Sequence, residues 1–379
     1  MRHPVAAAFV RGGTSKGLVF HREDLPDDRA DRDALFLRAM GSPDEYGRQL
    51  DGMGGGISSL SKVCVVGPPT HPDADVDYLF GQVQVDTASV DYGGNCGNMS
   101  SAIGPFAVDE GIVPVPADGQ ARVRIHNVNT GKLIASTFSV RNGRSVVDGD
   151  YAIKGVSGTA APVRLDFLDP GGAVTGRLLP TGNSRDRVDV DSIGAVEVSY
   201  VDAANPCVFV PAEALSLVGT ESPEEIEAAP GLLDRLETIR RAAAVAMRIA
   251  ATVEEAAANR LVPFIAVVGP PATYRTLSNE HVASDDVDVI VRFISSGRPH
   301  RAVPVTGALC SSIAARLPGT VVNDAARPAS SSADPIRIGT PSGVLDANAA
   351  VADTADGWRA VHASTYRTTR RLFDGYVYA

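Results

Sequence analysis

The chain has 379 residues, a formal net charge of -10 and 44% hydrophobic residues. That is ample for a large core, and the length suggests two domains. The acidic balance, the lack of a basic run and the lack of any membrane-length apolar stretch argue against nucleic-acid binding and membrane insertion.

Met1 to Val10 starts like a secretion signal, but its apolar part stops at Arg11, so it reads better as a first strand. Strand, glycine turn and strand then follow from Ala7 to Phe20. Within this hairpin, Arg11, Thr14, Ser15 and Lys16 offer a guanidinium, two hydroxyls and an ammonium around Gly12 and Gly13. Such a turn suits a carboxylate or phosphate, although an ordinary hairpin has the same glycines. The Walker A order is absent. Asp28 to Met40 reads as a charged amphipathic helix.

Gly54-Gly-Gly56 and the serines from Ser58 lead into Lys62 and the apolar run Val63 to Val66. Only Lys16, Lys62, Lys132 and Lys154 are lysines, so arginine is the default cation of this chain. Arginine stays protonated, whereas a lysine entering a buried strand can serve as a general base. A lysine at an exposed strand edge is the plainer alternative.

Val83 to Val90 reads as a strand feeding Asp91-Tyr-Gly-Gly-Asn-Cys-Gly-Asn-Met99. The glycines permit a sharp turn and close approach to a ligand. Asn95 is a suitable N-cap for an apolar helix from Met99 to Val108, short or kinked because of Gly104-Pro105. Cys96 would then sit at a helix start, where free amides and the dipole favour an anion and a thiolate. Cys64 and Cys207 lie in apolar strands and read as core, as does Cys310. The four cysteines form no Cys-x-x-Cys and the histidines have no paired spacing, so neither a disulfide framework nor a metal site is expected. Reduced thiols in the cytoplasm are the simplest reading.

Arg122 to Asn127, Thr137 to Val147 and Val196 to Val210 read as strands, and Pro223 to Asn259 as one or two outer helices. The second half echoes the first. Lys62-Val-Cys-Val-Val-Gly-Pro-Pro69 matches Phe264-Ile-Ala-Val-Val-Gly-Pro-Pro271, and Asp75-Val-Asp matches Asp286-Val-Asp. The Cys96 helix has a counterpart in Val305 to Ala315, and Arg124 to Gly131 matches Arg337 to Gly343, which includes Ser342. Four matches in one order favour a duplicated domain. The halves differ in chemistry, because Phe264 replaces Lys62 and the counterpart of Cys96 falls near Pro304 and Val305.

The motifs Phe9-Val-Arg-Gly-Gly-Thr-Ser-Lys-Gly17, Ser58-Ser-Leu-Ser-Lys-Val63, Gly93-Gly-Asn-Cys-Gly-Asn-Met-Ser100, Asp202-Ala-Ala-Asn-Pro206, Thr306-Gly-Ala-Leu-Cys310 and Pro318-Gly-Thr-Val321 resemble the PrpF protein family of the diaminopimelate epimerase-like superfamily. The resemblance covers nearly the whole chain. It implies an α+β fold of two similar domains, each a curved, mostly antiparallel sheet wrapped around a central helix, with the site at the domain interface. The expected domains are 1–184 and 185–379, joined near Gly182 to Asp191, with Arg367 to Ala379 returning to the first.

Members of that family isomerise methylaconitate, methylitaconate or oxalomesaconate without a cofactor, moving a proton along an allylic unit. The resemblance implies that Lys62 and Cys96 are catalytic. Candidate substrate-binding residues are Arg11, Thr14, Ser15, Lys16, Ser58, Asn95, Gly97, Asn98, Met99, Thr306, Gly307 and Ser342. Diaminopimelate epimerases use a cysteine from each half, a pattern this chain departs from. A two-base racemase and a non-catalytic polycarboxylate-binding partner of an aconitase-like enzyme are the alternatives. The expected partner is a small polycarboxylate; oligomeric state is left open, a homodimer being one alternative.

Overall fold

The computed structural model describes residues 4–190, 193–328, 331 and 334–379. The chain forms two compact units, Met1–Asp166 with Tyr366–Ala379, and Phe167–Thr365. The passage between them falls at Asp166–Phe167, so the expected boundary at 184/185 lies inside the second unit. Asp191, at the end of the expected joining stretch, lies outside the described residues, as do Met1 to His3.

In the first unit, β1 (Pro4–Gly12) and β2 (Ser15–His21) form a hairpin with Gly12 opposite Ser15. Gly13 takes a positive φ of 52° in its turn, a conformation that favours glycine. β2 pairs in parallel with β3 (Lys62–Gly67), which runs antiparallel to β4 (Val76–Val83). The short β5 (Val90–Asp91) pairs antiparallel with the end of β4. β4 is parallel to β6 (Gly119–Asn127), and β6 is antiparallel to β7 (Lys132–Arg141). The end of the last strand, Gly357–Tyr378, pairs with β1, from Gly12 opposite Thr369 to Pro4 opposite Tyr378.

Alternation along the strands gives this sheet two different faces. One carries Phe9, Leu18, Phe20, Val63 and Val65 against the helix α1 (Arg29–Met40), capped by the Asp28 carboxylate on the Asp31 amide. The other holds α2 (Gly97–Asp109), buried at every position from Gly97 to Val108. Close packing explains its small residues, since a methyl on Gly104 would lie 2.6 Å from Ser136 Oγ. Pro105 removes one amide donor, yet the helix continues to Asp109.

The second unit repeats this order. Gly194–Ala203 and Asn205–Pro211 form a hairpin that turns at Ala204, with φ 62°. Asn205–Pro211 pairs in parallel with Phe264–Gly269, which is antiparallel to Val289–Ser295. That strand is parallel to Ile336–Thr340, which is antiparallel to Gly343–Thr354. The buried helix Val305–Ala314 packs on this sheet. Three helices, Pro223–Ala228, Leu232–Ala246 and Val253–Ala258, replace the one or two expected, because Gly231 adopts a left-handed conformation and Thr252 begins a new capped start.

The repeat extends to single hydrogen bonds. Arg124 grips Asp75 through its backbone N–H at 2.7 Å and its Nη2 at 2.7 Å, across 49 residues. Arg337 grips Asp288 in the same way at 2.8 and 2.6 Å, again across 49 residues. The structural partner of Asp75 is therefore Asp288, two positions beyond the Asp286 expected from the sequence echo. Short apolar strands allow such a slip, whereas a bidentate arginine pair fixes register.

Candidate active site

The apolar strand β3 begins at Lys62, whose side chain points to the α2 face with Cys64. The residue is only 7% exposed. Its Nζ donates to Gln82 Oε1 at 2.5 Å and lies 5.0 Å from the centre of the Phe80 ring. Gln82 is the cross-strand partner of Lys62 on β4. The Gln82 Nε2 donates to the carbonyls of Ser58 and Ser61, both at 3.0 Å, so its oxygen is left for the lysine. A buried amine is thus held by a neutral amide that is itself fixed. Ser58 takes part through its backbone, in a short helical turn Ser58–Leu60.

Cys96, rather than Asn95, is the N-cap of α2, with φ -108° and ψ 97°. Its carbonyl accepts the first helical bond, from Ser100 N at 2.9 Å, and also accepts from Ser100 Oγ at 3.0 Å. The thiol makes no hydrogen bond to any described residue. The amides of Gly97, Asn98 and Met99 open the helix and have no intrahelical acceptor, as in any first turn. Tyr78 ties the cysteine to the sheet, its hydroxyl lying 3.5 Å from the Cys96 carbonyl and 3.8 Å from Cys64 Sγ. Burial pushes the Cys64 thiol up, with neighbouring Cys96 adding to the shift and Lys62 opposing it. Lys62 and Cys96 are thus both near Cys64.

Asparagines build the loop that delivers Cys96. Asn129 accepts from Phe80 N at 2.8 Å and donates to the carbonyls of Phe80 and Tyr92 at 2.8 and 3.0 Å. Asn95 Oδ1 receives Asn127 Nδ2 and Ser100 Oγ, each at 3.3 Å. The segment Val83 to Val90, expected as a strand, is mostly bends, and the strand precedes it as β4. The run Asp86 to Ser89 turns the chain there, and the β3–β4 register puts Gln82 opposite Lys62.

The hairpin turn joins the helix start through Asn98. Asn98 Oδ1 accepts from Thr14 N at 3.2 Å, and its Nδ2 donates to Thr14 Oγ1 at 3.0 Å. Ser15 is buried on β2 and Met99 in the first turn of α2. Arg11 and Lys16 are cross-strand partners on the opposite face, where α1 lies. Lys16 Nζ sits 5.3 Å from the centre of the Phe9 ring. Arg11 Nη1 donates to Gly13 O, Thr368 O and Thr368 Oγ1, each at 3.0 Å. The turn thus brings Thr14 and Ser15 to the side of Lys62 and Cys96 and sends Arg11 and Lys16 away from it, a consequence of strand alternation.

In the second unit, Pro304 caps the central helix and so takes the position that Cys96 holds in the first. Thr306 Oγ1 accepts from Asn205 Nδ2 at 3.1 Å. A methyl on Gly307 would lie 2.7 Å from the Phe293 ring. Gly307→Ala is accordingly expected to cost about 1–3 kcal/mol of stability, measured by denaturant unfolding. Cys310 lies inside that helix, its Sγ 3.3 Å from Val201 O. Ser342 is in a turn, donating to Arg301 O at 2.6 Å.

No helix among the described residues is long and apolar enough to cross a membrane. Among them there is also no cluster of three potential metal-ligating His, Cys, Asp or Glu residues.

The buried amine of Lys62 and the thiol of Cys96, at the start of α2, thus belong to one sheet-and-helix unit. The chain belongs to the PrpF protein family, which matches residues 2–379, and it has the duplicated diaminopimelate epimerase-like α+β fold. It is 44% identical over 376 residues to the 3-methylitaconate isomerase of Eubacterium barkeri, covering 99% of this chain and 97% of that one. It is 39% identical over 383 residues to the 2-methyl-aconitate isomerase of Shewanella oneidensis, covering 98% and 96%. The crystal structure of methylitaconate-delta-isomerase matches with a TM-score of 0.79 at 42% identity, over 99% of this chain and 95% of that one. The chain is an isomerase.

Proposed function

We propose that this isomerase moves a proton and a double bond within a small unsaturated di- or tricarboxylate of the methylitaconate, methylaconitate or oxalomesaconate type, with Lys62 and Cys96 as the proton-transfer pair. The observation that carries the reading is Lys62, buried and held by Gln82 at 2.5 Å, on the sheet face that holds α2, whose N-cap residue is Cys96, with a thiol that makes no capping hydrogen bond. An allylic C–H beside a carboxylate or ketone is weakly acidic. Removing its proton leaves a dienolate, so the reaction needs a base, an acid and donors for the developing oxyanion.

In its neutral form, Lys62 takes the allylic proton, and the C–H electron pair moves into the new double bond. Cys96 returns a proton at the other end of the allyl unit and becomes a thiolate. The ammonium and thiolate then reset by proton exchange with each other or with solvent. The amides of Gly97, Asn98 and Met99 stabilise the carboxylate that carries the developing charge. The two-base racemase alternative has less support, because Pro304 has no acid or base to offer at the second helix start. Four free cysteines suit a reducing cytoplasm.

Relatives of 44% and 39% identity carry different substrate names, so identity alone does not select the substrate. The test is incubation in deuterated water with cis- and trans-aconitate, 2-methylaconitate, 3-methylitaconate and 4-oxalomesaconate, followed by NMR. Double-bond migration with deuterium at an allylic terminus is expected for at least one. Deuterium at a stereocentre without migration would instead show a racemase, and binding without exchange a carrier. Gln82→Leu keeps the size but removes the acceptor from Lys62. It is expected to lower kcat by about tenfold with little change in KM, the loss of one hydrogen bond to a charged group.

A further inference from the structure

Arg367 lies in the last strand, within the stretch belonging to the first unit. It is 5% exposed, and its Nε is buried without a hydrogen-bond partner. Its single hydrogen bond to a described residue runs from Nη1 to the neighbouring Tyr366 carbonyl at 2.7 Å. Other buried arginines of this chain are satisfied quite differently. Arg292 donates to the carbonyls of Glu221, Val291, Gly339 and Thr220. Arg240 pairs with Glu237 and also caps the Ala256 and Asn259 carbonyls. Burial lowers the Arg367 guanidinium to about 10, opposed by Tyr151 alone, and no carboxylate acts on it. A buried cation without a counter-ion is costly to keep unless an anion completes it.

Its position says where that anion sits. Four residues further along the strand, Arg371 reaches α2, binding Glu110 Oε1 at 2.5 Å beside Phe106 near the helix C-terminus. Strand alternation keeps Arg367 on the same face, toward the opposite end of the helix. A methyl built on Gly13 would lie 2.1 Å from Asn98 Oδ1 and 3.1 Å from Arg367 Cδ. The arginine stem, the glycine turn and the first turn of α2 therefore meet at one corner. This is the helix start that Cys96 caps.

We propose that Arg367 is a substrate-binding residue, its guanidinium pairing with one carboxylate of the polycarboxylate at the N-terminus of α2. The assignment rests on the isomerase reading above and adds the cation that Arg11 and Lys16, on the other face, do not supply there. An arginine fork suits a carboxylate through two parallel N–H bonds, and the helix-start amides complete the cradle.

The test measures binding of itaconate, its 1-monomethyl ester and its 4-monomethyl ester by calorimetry, to wild type, Arg367→Gln and Arg367→Lys. Wild type is expected to lose about 10- to 100-fold in affinity when one particular carboxylate is esterified. Arg367→Gln should bind itaconate weaker by a similar factor and no longer distinguish that ester from the diacid. Arg367→Lys, lacking the fork, should discriminate several-fold less than wild type. Folded Arg367→Gln that retains the wild-type ester discrimination overturns the assignment. If the glutamine variant does not fold, unchanged discrimination in Arg367→Lys overturns it equally. Wild-type protein that binds neither itaconate nor cis-aconitate removes the polycarboxylate reading and this assignment together, whereas normal wild-type binding with an unchanged variant removes only this assignment.

Discussion

Lys62→Ala is expected to abolish deuterium exchange at the allylic carbon and lower turnover by about 10²–10⁴-fold, the range of a positioned general base. The loss should appear in kcat, because in the proposed mechanism Lys62 meets the substrate through the proton it removes. The variant should still fold. Gln82 would stay anchored by the Ser58 and Ser61 carbonyls, and its amide oxygen would lose a single donor. Circular dichroism and a cooperative melt establish the fold, and exchange followed by NMR in deuterated water reads the chemistry. A folded Lys62→Ala protein that exchanges the allylic proton at the wild-type rate would remove the lysine from the mechanism. Lys62→Arg should be nearly as inactive, since a guanidinium does not become a base near neutral pH.

Cys96→Ser is expected to separate binding from reaction. The amides of Gly97 to Met99 and the Asn98–Thr14 link are untouched, so affinity for a carboxylate should change little. A serine hydroxyl is a far weaker acid than a thiol, so proton return should fall by about 10²–10⁴-fold. Cys310→Ser is the matched control. That thiol lies inside its helix against Val201 O, fully buried, and its replacement should cost about 1–2 kcal/mol of stability with kcat little changed. The paired comparison is decisive: an active Cys96→Ser with an inactive, folded Cys310→Ser would move the acid to the second unit.

Much of the candidate site was legible in the sequence for identifiable reasons. Lysine is scarce, and Lys62 stands out where a glycine-rich loop enters an apolar strand. Cys96 stands among glycines and asparagines, a turn-forming polar run unlike a core in sequence, although the fold buries it. The duplicated order of motifs gave two similar units, though the echo slipped by two residues at Asp286, because apolar strands carry little register information. Gln82 was not found, since a lone glutamine at the end of an apolar strand looks like any edge residue. Its role comes from lying directly across the sheet from Lys62. Arg367 was also missed, since one more arginine in an arginine-rich segment has no signature until its burial and missing partners are seen.

The sequence by itself determined the chemical parts: an amine at the head of an apolar strand, a thiol at a helix start, glycines where helix starts must be approached closely, and a second half with no counterpart of Lys62 or Cys96 at the matching positions. Local residue type sets these features, so they survive without knowledge of contacts. Tertiary structure decided which cations share a face with that pair. Successive side chains on a strand point to opposite sides, so Arg11 and Lys16 went to the α1 face, while Arg367, distant in sequence, came to the start of α2. Pairing across strands likewise gave Lys62 a neutral amide partner, Gln82, rather than a carboxylate.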